Sequence, residues 1–192
     1  MDPRIDAKTA LIIVDIFNPF DFPGAQALWR RTLDIAPNLR ALIAAFAQAE
    51  APIVYANDDI CHGCATVEAL IGAARRRSPW SDTLLTRLAP LPPGQVVLKN
   101  AHSGFRRTAL SERLRGQGIE RVVVSGIATD LCVLATAIDA SAEDYDVWIP
   151  ADAAQAEDDA KHARAIRILE ASFKLSTDPW CADAGDDAPG QT

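Results

Sequence analysis

Short apolar runs alternate with helical periodicity along most of this chain. Five runs stand out: Leu11–Val14, Ile53–Tyr55, Val96–Leu98, Val122–Val124 and Val147–Ile149. Each is nearly continuous rather than alternating, the pattern of strands buried on both faces of a parallel sheet. A short sixth strand is expected near Phe173–Leu175. Between the runs, Ile35, Leu39, Leu42, Ile43 and Phe46 recur at helical spacing, with Asp34 as N-cap and Pro37 in the first turn, where a missing N–H costs little. Further helices are expected over Thr66–Arg76, Ser81–Leu88, Thr108–Arg115 (ended by Gly116 and Gly118) and Asp158–Ser172, with a turn at Pro92-Pro93-Gly94. No internal repeat interrupts the alternation. It predicts an α/β fold: a doubly wound, mostly parallel five- or six-stranded sheet with helices on both faces, a Rossmann-type sandwich with right-handed crossovers.

The 192 residues suit one domain, expected over 1–181, followed by a disordered acidic tail over 182–192. A net charge of −7 argues against a general nucleic-acid binder and against an anionic membrane surface as partner. Asp2, Arg4, Asp6 and Lys8 break up the start of the chain, so no secretory signal is expected there. No apolar run approaches the ~20 residues of a membrane-spanning helix. Four cysteines do not make a disulfide scaffold in a chain this long, and a cytoplasmic location is the expectation.

In an open α/β sheet, ligands bind outside the carboxyl ends of the strands. Asp15 follows the first strand there, and Lys99 ends the third. The fourth runs into Ser125-Gly126-Ile127-Ala128-Thr129-Asp130-Leu131-Cys132. This last segment reads as strand, tight turn and helix, with Thr129 as N-cap and Cys132 in the first turn. Orphan N–H groups and the helix dipole there favour a thiolate, the nucleophilic form of cysteine. Taken singly, Asp15 and Lys99 could be a structural ion pair beside an inert cysteine. Acid, base and thiol at three strand ends together point to a site.

Three segments, Leu11–Phe20, Lys99–Phe105 and Gly126–Val133, resemble in order and spacing the isochorismatase-like cysteine hydrolase superfamily, which includes nicotinamidases, carbamoylsarcosine amidases, and biuret and ureidoacrylate hydrolases. The resemblance spans about Thr9 to Leu175. It implies a catalytic triad of Asp15, Lys99 and Cys132, with the cysteine attacking an amide-type carbonyl and forming a thioester. It also implies a cis peptide between Ile127 and Ala128, with the Ala128 and Cys132 N–H groups forming an oxyanion hole. By position in the family, Phe20, Trp80, His102, Phe105 and Ile127 are expected to bind a small-molecule amide. Dimers or tetramers are implied as well.

The chain departs from two branches of that superfamily. Nicotinamidases hold a metal with an Asp-x-His motif after strand two. Here the segment is Asn57-Asp58-Asp59-Ile60-Cys61-His62, so no metal and no other cofactor is expected, although Asp58 and His62 could hold a metal opportunistically. True isochorismatases lack the nucleophilic cysteine that Cys132 supplies. Cys61-His62-Gly63-Cys64 has the spacing of a redox pair, which leaves a dithiol oxidoreductase as an alternative to an amidohydrolase. Its bland reading is two small loop residues near the pocket. A catalytically idle member of the fold is the third reading.

Overall fold

The computed structural model describes residues 4–181, so the expected tail lies outside the described residues. Six strands form one parallel sheet: β1 (Thr9–Val14), β2 (Ile53–Asp58), β3 (Gln95–Lys99), β4 (Arg121–Ile127), β5 (Asp146–Trp148) and β6 (Ala154–Gln155). Their order is β3-β2-β1-β4-β5, and β6 pairs with the far end of β4. The chain order reverses direction at β1, which places β1 and β4 side by side at the centre.

Alternate residues of each strand feed two separate cores. Leu11 and Ile13 pack with Leu39, Leu42 and Phe46 of α1 (Ala25–Gln48) and with residues of α2 (Val67–Arg77) and α3 (Pro79–Leu88). Ala10, Ile12 and Val14 face the other way, toward α4 (Leu110–Gly116), α5 (Leu134–Ala142) and α6 (Asp159–Phe173). All six β1 residues are buried, which is why the strand reads as an unbroken apolar run. Each large aliphatic side chain buried in this way contributes roughly 1.5–3 kcal/mol.

Local chemistry sets most helix starts. Thr66 caps α2 by accepting from the Ala69 N–H, Ser78 caps α3 ahead of Pro79, and Asp158 caps α6 through Lys161 N. Helix α1 departs from expectation. It begins at Ala25 after a left-handed Gly24, so Asp34 is no cap and Pro37 lies inside the helix. Burial of Leu28, Thr32 and Ile35 along the same face carries the helix through those local stop signals. The sixth strand is also displaced. It forms at Ala154–Gln155, whereas 173–175 hold the end of α6 and the residues after it, and only Ser176 makes a lone bridge to Trp148.

One glycine is dictated by the sheet. Gly126 has φ +112°, and a Cβ there would lie 2.2 Å from the Val14 carbonyl oxygen. No side chain fits between β1 and β4 at this point, just before the turn that carries Cys132.

Candidate active site

Asp15 is the first residue beyond β1 and adopts a left-handed backbone, φ +52°. Its N–H donates to the Ala56 carbonyl at 2.9 Å, and its Oδ1 accepts from the Asp58 N–H at 2.9 Å. Asn57 secures the same corner by accepting from the Phe17 N–H at 3.0 Å. The carboxyl group of Asp15 is thus held by neighbouring backbone on a fixed heading.

Lys99 ends β3, with its side chain wholly buried. Its Nζ lies 2.8 Å from Asp15 Oδ2, 2.6 Å from Asp58 Oδ1 and 3.4 Å from Cys132 Sγ. Parallel register sets Asp58 directly opposite Lys99 at the ends of β2 and β3. Burial alone would depress the lysine, but Asp15 and then Asp58 outweigh it and hold the ammonium charged well above the ordinary range.

Cys132 follows the cis Ile127–Ala128 peptide and sits in a wide, π-helical turn, Thr129–Val133, that leads into α5. The expected cap differs. Ala128 occupies that position without a side-chain bond, and Thr129 Oγ1 instead meets His162 Nδ1 at 3.0 Å. The expected thiolate preference is also overturned: burial, then the Asp15 charge, pushes the Cys132 thiol up to about 12 despite the opposing pull of Lys99. Burial likewise raises Asp15, helped by the charge of Asp58, against the pull of Lys99 and a hydrogen bond with Cys132. At neutral pH the proton of Cys132 therefore rests on sulfur, beside the Asp15 carboxyl.

This arrangement predicts the pH dependence of alkylation. Because the thiol ionises far above neutrality, the rate at which iodoacetamide labels Cys132 should climb continuously from pH 7 to pH 10. Peptide mass spectrometry reads the site. A plateau below pH 9 would show a preformed thiolate and contradict the electrostatics described here.

A cavity of about 210 Å³ opens over the sulfur. Asp15, Asp58, His102, Ile127, Ala128 and Cys132 line its floor and sides. Its volume holds a small ligand, below the ~300 Å³ typical of drug-sized ones. His102 Nδ1 lies 3.7 Å from Sγ. A wider groove of about 560 Å³ adjoins it across Asp58 and His102.

Asp15, Lys99, Cys132, Ala128, His102 and Ile127 are brought together, whereas the three expected aromatic contacts are not. Phe20 is 3% exposed within the core on the α1 side. Trp80 stacks on Trp29, ring centroids 5.3 Å apart, and accepts at its carbonyl from the Trp29 indole. Phe105 lies in the core on the opposite face of the sheet, tilted against Tyr145. Phe20 and Phe105 are buried in the core, and the half-buried Trp80 packs against it.

Other wall residues were missed. Phe22, Leu28 and Leu131 supply apolar wall, and Asp130, Glu157 and Lys161 supply charge. Leu131 is 50% exposed, unusual for leucine beside a cavity. Asp58 carried the clearest overlooked signal, a carboxylate ending a strand next to the one that ends in Lys99.

Cys61 and Cys64 are joined by a disulfide in the loop after β2. Cys132 and Cys181 are free. The nicotinamidase-type metal does not fit these residues. The Asp58 carboxylate is engaged by Lys99, residue 60 is isoleucine, and no group of three or more His, Cys, Asp or Glu gathers as a ligand set among the described residues.

Residues 9–178 match the model of the isochorismatase domain family. An uncharacterized isochorismatase family protein of Bacillus subtilis is 31% identical over 164 residues, covering 85% of this chain and 90% of that protein. A ureidoacrylate amidohydrolase of Methylobacterium radiotolerans is 33% identical over 125 residues, covering 59% of this chain and only 48% of that protein. The crystal structure of N-carbamoylsarcosine amidase from Thermoplasma acidophilum superposes with a TM-score of 0.65 at 26% identity, covering 93% of this chain and 99% of that one.

Proposed function

This chain belongs to the isochorismatase family, and from that premise we propose that it is a cysteine-dependent amidohydrolase, cleaving a small amide, ureido or carbamoyl C–N bond through a thioester. The observation that carries the reading is the Lys99 ammonium, within 2.8 Å of Asp15 and 3.4 Å of the Cys132 sulfur. The names of two relatives, an amidohydrolase and an amidase, point the same way.

In the proposed reaction, Asp15 takes the proton from Sγ as sulfur attacks the substrate carbonyl. Lys99 stabilises the sulfur anion during attack, and the Ala128 and Cys132 N–H groups receive the developing oxyanion. Asp15 then gives its proton to the departing nitrogen, the C–N bond breaks, and an acyl thioester remains on Cys132. Water, deprotonated by Asp15, attacks the thioester and releases the acid and the free thiol. Burial that raises Asp15 suits it to this exchange, because its basicity moves closer to that of the groups it serves.

Ammonia release from a panel of small primary amides and ureido compounds tests the reading, with acid-quenched samples examined for an acyl mass on the Cys132 peptide. Turnover with the adduct is the expected result. Turnover that persists after Cys132 is fully alkylated would end the proposal.

A further inference from the structure

Resting on the amidohydrolase reading, we propose that Asp58 sets the charge of the substrate. It turns carboxylate-bearing molecules away from Cys132 and accepts hydrogen bonds from the N–H or ammonium groups of neutral and cationic amides. Lys99 needs one counter-ion, and Asp15 supplies it from a buried position. Asp58 adds a second carboxylate at 2.6 Å, on a side chain 63% exposed that lines both the cavity and the adjoining groove. For ionising the thiol, this second charge is counterproductive, since it opposes loss of the proton from Cys132 and from Asp15 alike. A charge that works against the empty site is accounted for by what it does in the filled one.

Only Oδ1 of Asp58 meets Lys99; the other oxygen makes no hydrogen bond among the described residues. A carboxylate accepts several hydrogen bonds and donates none, so this oxygen offers an N–H group a partner and an incoming carboxylate only repulsion. The remaining wall has the same sign. Asp130 and Glu157 also line the cavity, and its ammonium group, Lys161, is already held by Glu157. Four carboxylates therefore surround the cavity against the ammonium groups of Lys99 and Lys161. Within the cavity itself, an anionic substrate would have to part Lys161 from Glu157, or Lys99 from its carboxylates, to find a cation. Arg106 lies in the adjoining groove, together with Asp139. The carboxylate of a ureido acid is thus poorly served here, whereas a neutral or amine-bearing acyl group finds acceptors.

Two alkylating agents of nearly equal size read the charge preference without turnover: neutral iodoacetamide and anionic iodoacetate, each forming an S–C bond at Cys132 and expelling iodide. Rates are followed at the Cys132 peptide by mass spectrometry and normalised to glutathione, because the other free thiol, Cys181, sits beside Asp152. The full chain is expected to disfavour iodoacetate by tenfold or more beyond glutathione. Asp58→Asn should relieve about tenfold of that, as expected for one charge a few ångströms from the reacting centre. Asp58→Glu, which keeps the charge, should retain the discrimination and controls for damage to the fold. Equal discrimination in the wild-type and Asp58→Asn proteins overturns the assignment and leaves the amidohydrolase reading standing. If neither reagent labels Cys132 in either protein even at pH 10, where the thiol begins to ionise, the amidohydrolase reading falls, and the assignment with it.

Discussion

Replacing Cys132 with alanine is expected to lower amide hydrolysis by at least about ten-thousandfold, because an activated nucleophile acts as a unit with its base and cannot be substituted by the groups around it. Asp15 and Lys99 would still face the substrate, but water held by Asp15 lacks both the nucleophilicity of sulfur and its fixed position. The fold should survive. Lys99 keeps both of its carboxylates, and the Ala128 carbonyl still accepts from the Leu131 and Val133 N–H groups in the π-helical turn. Coupled detection of ammonia measures the loss, and thermal unfolding checks that the variant remains folded. A variant that keeps more than a tenth of the wild-type rate would exclude a covalent path through residue 132.

Lys99→Met is expected to be the most costly change to stability around the cavity. Methionine matches the shape of the lysine stem but removes the only ammonium between Asp15 and Asp58. Removing one partner of a buried pair typically costs 3–5 kcal/mol, since the other charge stays behind uncompensated. Most of that loss should come from Asp15, which is almost fully buried, whereas Asp58 can turn to solvent. The pH dependence follows from the direction of the Asp15 shift. Burial already raises this group in the folded protein, and Lys99 is its main opponent, so losing Lys99 raises it further. A carboxyl raised on folding stabilises the native state while protonated and loses that contribution as pH climbs through its folded value. Urea denaturation should therefore find the variant closer to wild type at pH 5 than at pH 8, and Asp15→Asn in the same background should recover stability at pH 8. A loss below about 1 kcal/mol with no pH dependence would show that the ammonium is not needed to balance the corner.

The parallel sheet and the Asp15, Lys99 and Cys132 positions were legible because each depends on local chemistry. Continuous apolar runs leave few alternatives to doubly buried strands, and a charged residue directly after such a run must sit at a strand end. Features that depend on tertiary packing were not legible. The first ten residues of α1 look unstructured beside the strong start signals at Asp34 and Pro37, yet burial of Leu28, Thr32 and Ile35 extends the helix through them. Strand β6 is two residues long, too short to carry any periodicity. The pocket aromatics failed for a related reason. Position near the site does not reveal whether a ring turns toward the cavity or the core; Phe20 and Phe105 lie in the core, and Trp80 packs against it. The thiol's raised basicity was hidden too, because the helix-terminus argument omits the burial of the sulfur and then the two carboxylates, Asp15 and Asp58, that lie far away in sequence.

The sheet fixes part of the cavity wall and leaves the rest to loops and helices. Asp15 and Lys99 stand at the carboxyl ends of β1 and β3, with Asp58 beside them at the end of β2, and Cys132 lies in the turn that follows β4. Phe22, Glu157 and Lys161 come from two stretches outside the sheet and away from that turn. Mutational libraries confined to those stretches should redirect the enzyme among acyl groups while sparing its bond-breaking apparatus, so that new specificities can be selected without rebuilding the chemistry.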